Sequence, residues 1–409
     1  MQQPENTADR TALSGRTILQ IIPRLEAGGA ERTVIDMARA ITAAGGRAVV
    51  VAEPGRMVAE LERAGGEFIA INAASKNPFR MLHTALALVR LIRTHKIDLV
   101  HARSRAPAWP ALWAARWTGR PFITTYHGIY SQTNALKGFY NSVMARGDAV
   151  IANSGMTAAL IAQRHPAAKP RITTIYRGID IDAFAPASIS SQRRDAVMRQ
   201  WSLQTTDTGR PLVLNVARLT GWKGHDVLIE AMGRLLERDC RQNPLMIVAG
   251  GSQGDSAFET HLQQLIEARG LSGHIRLVGH CDDVPAALTL ASCVVVASTR
   301  EEAFGRAAVE AGAAGIPVIA TDHGGARETI LAPPGATEDE RTGWRVPPGD
   351  AAVLADTLAT VLAMTDEARS AVGRRARTYV AARFSLEAMC KQTLGVYRAL
   401  LQTKRRNGI

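Results

Sequence analysis

The residues best suited to chemistry are two glutamates, Glu302 and Glu310, in the segment STREEAFGRAAVEAGAAGIPVIATDHGGARETI at residues 298–330. An apolar run ends just before Glu302, and a helix rich in small residues is predicted to begin near Phe304 and Gly305 and to carry Glu310. Backbone N–H groups at a helix start bind phosphate, and a carboxylate further along can accept the hydroxyls of a ribose. The segment therefore predicts a nucleotide site. The alternative is that the acids cap the helix and the small residues only permit close packing.

A second candidate is VARLTGWKGHDVLIEAM at residues 216–232. Arg218 ends a predicted buried strand, and Lys223 lies in the glycine turn that follows. Two cations at the mouth of a parallel sheet can clamp a diphosphate, because a guanidinium binds oxygens in a fork and an ammonium acts as a point charge. The alternative, which an isolated pair would favour, is that they are surface charges.

Two further candidates lie in the first half of the chain. Gly28 and Gly29 follow the first predicted strand and open a helix, but they form neither a dinucleotide fingerprint nor a P-loop. These glycines either allow a ligand to approach the backbone or only make a tight turn. His127 follows another predicted strand, where a catalytic histidine and an ordinary loop histidine are both plausible.

Metal and disulfide chemistry have little support. Asp180 and Asp182 mimic a metal-binding DxD pair, but no other cluster of metal ligands accompanies them, so they are interpreted as loop structure. The four cysteines form no CxxC pair, which argues against a zinc site or a disulfide framework.

The charge is distributed unevenly along the chain. The net charge of +12 comes from 49 basic and 37 acidic residues, and the first 200 residues hold the whole excess, with 26 basic against 14 acidic. Residues 76–120 alone carry nine basic side chains and one acid. Trp109, Trp113 and Trp117 recur there every four residues, as a stripe on a helix would. The segment predicts either core packing with a solvated basic rim or a peripheral contact with an anionic membrane.

Short apolar runs alternate with amphipathic ones along the chain, which predicts an α/β fold of parallel sheets wrapped by helices. We expect two doubly wound, Rossmann-like domains facing a central cleft, with ligands beyond the carboxyl ends of the strands. Apolar runs are too short to predict a spanning helix. The predicted divisions are a disordered tail (1–15), an N-terminal domain (16–190), a C-terminal domain (191–385) and a last helix (386–409).

Together these strings resemble retaining glycosyltransferases of family 4, which have the GT-B fold. The resemblance runs from about residue 17 to 400. It is carried by GGAERTVIDMA, TYHG, ARGDAVIANS, RGIDIDAF, VARLTGWKGHDVLIEA, IVAGG, EAFGRAAVE and GIPVIATDHGGARE. Its most specific element is the glutamate pair with seven residues between, Glu302 and Glu310. One departure is Ala303, where members of the family often have glycine.

The resemblance implies a role for each candidate residue. The C-terminal domain would bind the nucleotide-sugar donor: Arg218 and Lys223 would neutralise its diphosphate, and Glu310 would hold the ribose. In the same domain Glu302 would lie beside the transferred sugar, and the backbone of Phe304 and Gly305 would meet the sugar and phosphates. From the N-terminal domain, His127 would contact the donor hexose, and Gly28 and Gly29 would approach the phosphates. The last helix would cross back to the N-terminal domain.

The resemblance also implies a reaction. No metal or other cofactor is required if the two cations neutralise the leaving diphosphate. The basic N-terminal half and its similarity to lipopolysaccharide core enzymes favour transfer of a hexose, with mannose as one candidate, onto an anionic lipid-linked saccharide. That enzyme would be cytoplasmic, peripheral at the inner face of the cytoplasmic membrane. The alternatives are another GT-B enzyme, such as a sugar-nucleotide epimerase or a phosphorylase, and a basic nucleic-acid-binding protein. We expect no nucleic-acid partner, because the sequence holds no recognised binding module.

Overall fold

The computed structural model describes residues 11–26, 28–238, 242–252 and 256–406. The chain forms two compact units. The first combines the chain up to Gly178 with the segment from Leu386 onward, and the second is Ile179–Ser385. The backbone N–H of Ile179 donates to the carbonyl of Phe384 at 2.9 Å, so the second unit begins and ends at adjacent points. The first unit therefore ends earlier than the boundary predicted at residue 190.

The first unit is built on a seven-stranded parallel sheet in the order β3-β2-β1-β4-β5-β6-β7. Side chains of its central strands are buried on both faces, which is why these strands are mostly apolar. The strands are β1 (Thr17–Arg24), β2 (Arg47–Glu53), β3 (Gly66–Ala70), β4 (Leu99–Ala102), β5 (Phe122–Tyr126), β6 (Ala149–Ala152) and β7 (Ile172–Thr174).

Helices cover both faces of this sheet and enclose two hydrophobic clusters. The helices up to the end of the sheet are α1 (Gly29–Ala43), α2 (Val58–Arg63), α3 (Pro78–Thr94), α4 (Arg105–Trp117), α5 (Ala135–Ser142) and α6 (Gly155–Arg164). Apolar residues of α3 and α4 pack in one cluster and those of α1 in the other.

Residues 11–15 differ from the predicted tail. Leu13 is 1% exposed and packs in the cluster that contains α1. Its backbone N–H donates to the carbonyl of Ala44 at 2.9 Å. One apolar side chain anchors this segment, so the prediction of a disordered tail was wrong for residues 11–15; residues 1–10 lie outside the described residues.

The second unit has a six-stranded parallel sheet in the order β10-β9-β8-β11-β12-β13. Because β9 and β10 extend to one side of β8 and the later strands to the other, the order reverses between β8 and β11. Ligands of doubly wound sheets bind beyond the carboxyl ends of the strands at such a point. The strands are β8 (Leu212–Val216), β9 (Leu245–Ala249), β10 (Ile275–Leu277), β11 (Cys293–Val296), β12 (Val318–Thr321) and β13 (Trp344–Val346).

The helices of the second unit alternate with these strands and then continue beyond them. They are α7 (Ser191–Gln200), α8 (His225–Glu237), α9 (Ser256–Ala268), α10 (Val284–Leu288), α11 (Arg306–Ala314), α12 (Ala326–Thr329), α13 (Ala351–Ala363) and α14 (Asp366–Arg383).

The last helix, α15 (Leu386–Arg406), is part of the first unit and packs on α1. Its Tyr397 is fully buried, and the hydroxyl lies 2.7 Å from Nδ1 of His101. His101 is a buried residue of β4, and its Nε2 lies 2.7 Å from Oγ1 of Thr125. Burial holds the pKa of His101 well below its usual value, so the imidazole is neutral and can link the two hydroxyls. In the described part of the chain, no helix combines the length and the apolar character needed to span a membrane.

Candidate active site

The candidate site of the second unit lies beyond the carboxyl ends of β8 and β11. The loops after these neighbouring strands are joined, because the backbone N–H of Thr299 donates to the carbonyl of Trp222 at 2.8 Å. Gly224 holds the first loop in a left-handed conformation, with φ of 74°, and a Cβ there would lie 1.9 Å from the carbonyl oxygen of Ala297. Only glycine allows this approach.

An ion pair crosses between the two loops. Nζ of Lys223 lies 2.7 Å from Oε1 of Glu302, and both side chains are mostly buried, with 15% and 19% exposure. The hydroxyl of Ser298 donates to the same carboxylate oxygen. The ammonium also lies 4.4 Å from the centroid of the Trp222 ring. Three contacts therefore fix the ammonium and the carboxylate beyond the strand ends.

Two glycines support the backbone of Glu302 from below. The N–H of Gly325 donates to the Glu302 carbonyl at 2.8 Å. A Cβ on Gly324, whose φ is 56°, would lie 2.5 Å from that carbonyl oxygen, and a Cβ on Gly325 would lie 2.3 Å from the carbonyl oxygen of Phe304. The HGGARE string thus serves to let one loop lie directly against the other.

Glu310 lies on α11, which begins immediately after Gly305 in a left-handed conformation, with φ of 81°. The Phe304 side chain is buried against Phe384, with ring centroids 5.4 Å apart, so it anchors the turn that precedes α11. Glu310 is 8% exposed, and its Oε1 accepts from Nε of Arg306 at 2.5 Å. A ribose bound by this carboxylate would have to share it with Arg306.

The second predicted cation, Arg218, follows β8 and is exposed. His225, two residues after Lys223, opens α8 and is only 1% exposed. Burial lowers the pKa of His225 to about 4, so this imidazole is neutral at physiological pH and adds no charge to the site.

The predicted residues of the first unit form a separate group. Gly28 precedes α1 with φ of 144°, and the Gly29 backbone faces the guanidinium of Arg177, whose Nη2 would lie 2.3 Å from a Cβ built there. Nη2 of Arg177 also lies 3.5 Å from Oγ1 of Thr33. The glycines thus admit an arginine that had not been predicted as a site residue.

His127 follows β5, and both of its ring nitrogens are buried without a hydrogen-bond partner among the described residues. Burial, with the nearby charges of Arg177 and Arg103, holds the pKa of His127 well below its usual value. It is therefore a neutral imidazole whose hydrogen-bonding capacity is open to a ligand, which an ordinary loop histidine in water would not be.

The structure supports the interpretation of the DxD string as loop. Oδ1 of Asp180 accepts from the backbone N–H groups of Asp182 and Ala183, both at 3.1 Å. The described residues hold no cluster of acids, histidines and cysteines that could bind a metal. Cys281, Cys293 and Cys390 are free thiols, and Cys240 lies outside the described residues.

The basic stretch at residues 76–120 is not one surface. Arg103 is buried, Arg116 pairs with Asp148 at 2.8 Å, and Arg105 donates to Asn141 at 2.8 Å. The exposed cations are Lys76, Arg80, Arg90, Arg93, Lys96 and Arg116.

The tryptophan stripe also divides. Trp109 is 7% exposed and donates to the carbonyl of Tyr140 at 3.0 Å, whereas Trp113 is partly buried and Trp117 is 52% exposed. Core packing therefore accounts for Trp109 and most of Trp113. Other exposed apolar side chains of this unit are Phe79, Leu82 and Leu86 on α3 and Leu136 and Phe139 on α5.

Comparison with known families agrees with this fold. The family described as "Glycosyltransferase Family 4" matches residues 27–183, and the one described as "Glycosyl transferases group 1" matches residues 202–379. A glycosyltransferase from Rickettsia africae has a solved structure with a TM-score of 0.84 and 32% identity, covering 94% of this chain and 98% of that one. The chain belongs to glycosyltransferase family 4 and is a glycosyltransferase of the GT-B fold.

Two curated relatives indicate the range of activities near this sequence. A D-inositol 3-phosphate glycosyltransferase from Salinispora tropica is 30% identical over 320 residues, which span 73% of this chain and 63% of that protein. The lipopolysaccharide core biosynthesis mannosyltransferase LpsB from Rhizobium meliloti is 30% identical over 270 residues, covering 65% and 69%. Each name states the activity of that relative and not of this chain.

Proposed function

We propose that this protein is a retaining glycosyltransferase that moves a hexose from a nucleotide-diphosphate sugar to an anionic lipid-linked saccharide. The observation that carries the proposal is the Lys223–Glu302 ion pair, fixed beyond β8 and β11 where the strand order reverses. Glu310 follows on the next helix, so a cation for phosphate and a carboxylate for ribose come from consecutive elements of one unit.

In this proposal the cations act on the leaving group. Breaking the bond between sugar and diphosphate leaves negative charge on the diphosphate, and Arg218 with Lys223 stabilises that charge as it develops. Glu302 holds the Lys223 ammonium in place and lies beside the sugar. Since the two cations supply the positive charge, the reaction needs no metal. The acceptor hydroxyl attacks from the face that the diphosphate leaves, and its proton passes to the departing phosphate.

The first unit contributes neutral contacts to the donor. Because His127 is held uncharged, it can donate to or accept from a hydroxyl of the hexose without competing for the phosphates. The backbone of Gly28 and Gly29 approaches the phosphates with the N–H groups of α1. In the second unit, the backbone of Phe304 and Gly305 approaches the phosphates at the start of α11.

The choice of sugar and acceptor is supported by the relatives and the charge. Similarity to a mannosyltransferase of lipopolysaccharide core assembly supports mannose as the hexose. The excess of +12 within the first 200 residues supports an anionic acceptor, such as the phosphorylated saccharide of a cell-envelope glycolipid.

A lipid-linked acceptor is supported by the exposed apolar side chains of α3 and α5. Phe79, Leu82 and Leu86 are spaced as one stripe, and they are 84%, 45% and 56% exposed. Leu136 and Phe139 add 81% and 61% exposure on α5. Both helices begin on the carboxyl side of the sheet, and Asp98 is the one acid between residues 68 and 147. We propose that this apolar and basic rim lies on the anionic inner face of the cytoplasmic membrane.

A screen of nucleotide sugars on the purified protein tests the donor. We expect one nucleoside diphosphate hexose to raise the unfolding temperature and to be consumed only when a lipid-linked saccharide is added. Conversion of the donor without any acceptor would instead identify an epimerase. Failure of every nucleotide sugar to bind would overturn the proposed function.

A further inference from the structure

A cavity of about 20 Å³ opens in the first unit among residues that follow four neighbouring strands. Arg103 comes after β4, His127 after β5, Asn153 after β6 and Arg177 after β7, and the carboxyl ends of parallel strands meet at one edge of the sheet. Thr33, Thr125 and Thr393 are also in its lining, with Ile151, Ile175 and Met389. None of these residues is acidic.

Several polar atoms of this lining are buried without a partner. Among the described residues, no hydrogen-bond partner exists for Nη2 of Arg103, for either side-chain amide atom of Asn153 or for either ring nitrogen of His127. Arg103 and Asn153 are each 3% exposed. Buried polar groups are nearly always hydrogen-bonded, so unpaired atoms around one cavity indicate an occupant that pairs with them.

Arg103 is held rigidly beneath the cavity. Its Nε donates to Oε1 of Gln20 at 2.8 Å, and the Gln20 amide donates to the carbonyl of Val34 at 3.1 Å. Burial lowers the pKa of Arg103, but a buried guanidinium still remains charged in a protein. A fixed positive charge therefore forms part of the cavity wall.

Arg177 supplies a second charge at the mouth, over Gly29 and near Thr33. Glu31 and Asp36 of α1 interact electrostatically with Arg177 and Arg103 respectively, but neither acid is among the described residues of the lining. The occupant must therefore accept hydrogen bonds from cations, which selects an anion.

We propose that this cavity is the binding site for one oxyanionic group, a phosphate or carboxylate, of the acceptor saccharide. The volume suits a single oxygen, which would accept from Arg103 and from the amide of Asn153. The remaining oxygens would lie at Arg177. The inference rests on the proposed function, and it assigns the anion of the acceptor to Arg177, which the sequence did not predict as a site residue.

The test uses inorganic phosphate as the probe and the ring resonances of His127 as the reporter, assigned with His127→Gln. Phosphate should shift these resonances, and Arg177→Gln should weaken its binding by about tenfold or more, the effect of losing a charge-assisted hydrogen bond. Arg90→Gln, which removes an exposed cation of α3, is the matched control and should leave phosphate binding unchanged.

A second experiment tests whether the bound anion belongs to the acceptor or to the donor. Saturation with the nucleoside diphosphate found in the donor screen should leave phosphate binding at His127 intact, and Arg177→Gln should bind that nucleotide as the wild type does. If the nucleotide displaces phosphate, or if Arg177→Gln loses nucleotide affinity, the pocket serves the donor and the inference is wrong. Absence of any shift with phosphate, in a protein that binds its nucleotide normally, overturns the inference and leaves the proposed function standing.

Discussion

Nζ of Lys223 and Oε1 of Glu302 lie 2.7 Å apart although 79 residues separate them in the chain. The pair exists because β8 and β11 are neighbours in the sheet and Gly224 lets the intervening loop lie against Ala297. Glu302 therefore holds Lys223 and is also proposed to lie beside the sugar. Substitution of Lys223 tests the first role while leaving the carboxylate in place.

Replacement of Lys223 by methionine should lower kcat/KM by about 10²–10³, since a preorganised charge on the leaving diphosphate is lost. The thiomethyl chain keeps most of the packing, so the unfolding temperature should change little. Initial rates with the donor identified by the screen measure the effect.

The control for this substitution is Arg234→Met, which breaks the exposed Arg234–Glu230 pair on α8. That change should leave kcat/KM within about twofold of the wild type, because exposed ion pairs contribute little. Equal losses in the two variants would mean that Lys223 has no special role.

The carboxylate of Glu310 is predicted to bind the ribose, and Arg306 competes for it. Glu310→Gln should weaken nucleoside diphosphate binding by about 10-fold or more, because hydrogen bonds to a charged acceptor are worth about 1.5–3 kcal/mol. Arg306→Ala frees the carboxylate and should not weaken binding. Calorimetry on both variants measures the difference. Unchanged affinity in Glu310→Gln would remove the ribose role.

The central strands could be predicted from sequence because both of their faces are buried, which makes Val213 and Val294 parts of strongly apolar segments. Strands β3 (Gly66–Ala70) and β13 (Trp344–Val346) were not predicted. Each is short, lies at the edge of its sheet and is largely half-exposed, so neither shows a clear apolar run.

Some site residues could likewise be predicted from the sequence and others could not. Glu302, Lys223 and Glu310 stood out because they lie in recognisable strings around glycines. Asn153 and Arg177 also lie in strings that resemble the family, but nothing in those strings predicted a role for them, and only the order of strands β4 to β7 brings them to one cavity. Periodicity likewise identified the tryptophan stripe but could not tell which end of it faces the core, since both ends repeat with the same spacing.

Membrane binding should depend on α3 and α5 rather than on the tryptophans. Phe79→Ser combined with Leu136→Ser should reduce binding to vesicles containing anionic lipid by about tenfold or more, because two exposed apolar side chains would no longer enter the interface. Trp117→Ser removes an aromatic side chain that is 52% exposed at the carboxyl end of α4 and serves as the control. Sedimentation with vesicles measures both. A larger loss in the control would place the contact at the opposite edge of the sheet.

Acid should destabilise the second unit through His225. Its pKa is about 4 in the folded protein and about 6.5 when unfolded, so only the unfolded state gains a proton between these values. Above about pH 6.5 both states are neutral at His225, and the residue costs no stability. As the pH drops to 4 the free energy of unfolding falls by about 3 kcal/mol, and below that it no longer changes through this residue. His225→Gln should flatten this part of the curve relative to the wild type. Chemical unfolding followed at pH 7, 5.5 and 4 measures it; parallel curves would contradict the assignment.

Gly224 provides the sharpest test of how the site is positioned, since Gly209 offers a matched control. Both glycines have left-handed φ angles, 74° and 85°, but a Cβ on Gly224 would lie 1.9 Å from the Ala297 carbonyl, whereas one on Gly209 meets no described atom within 4 Å. Gly209→Ala should therefore show the conformational cost alone, about 1–2 kcal/mol. Gly224→Ala adds a clash with backbone, so it should lower the free energy of unfolding further. It should also displace Lys223 from Glu302 and reduce kcat/KM, which Gly209→Ala should not do. Equal stability and normal activity in the two variants would mean that the loop has room to move and that glycine is not needed there.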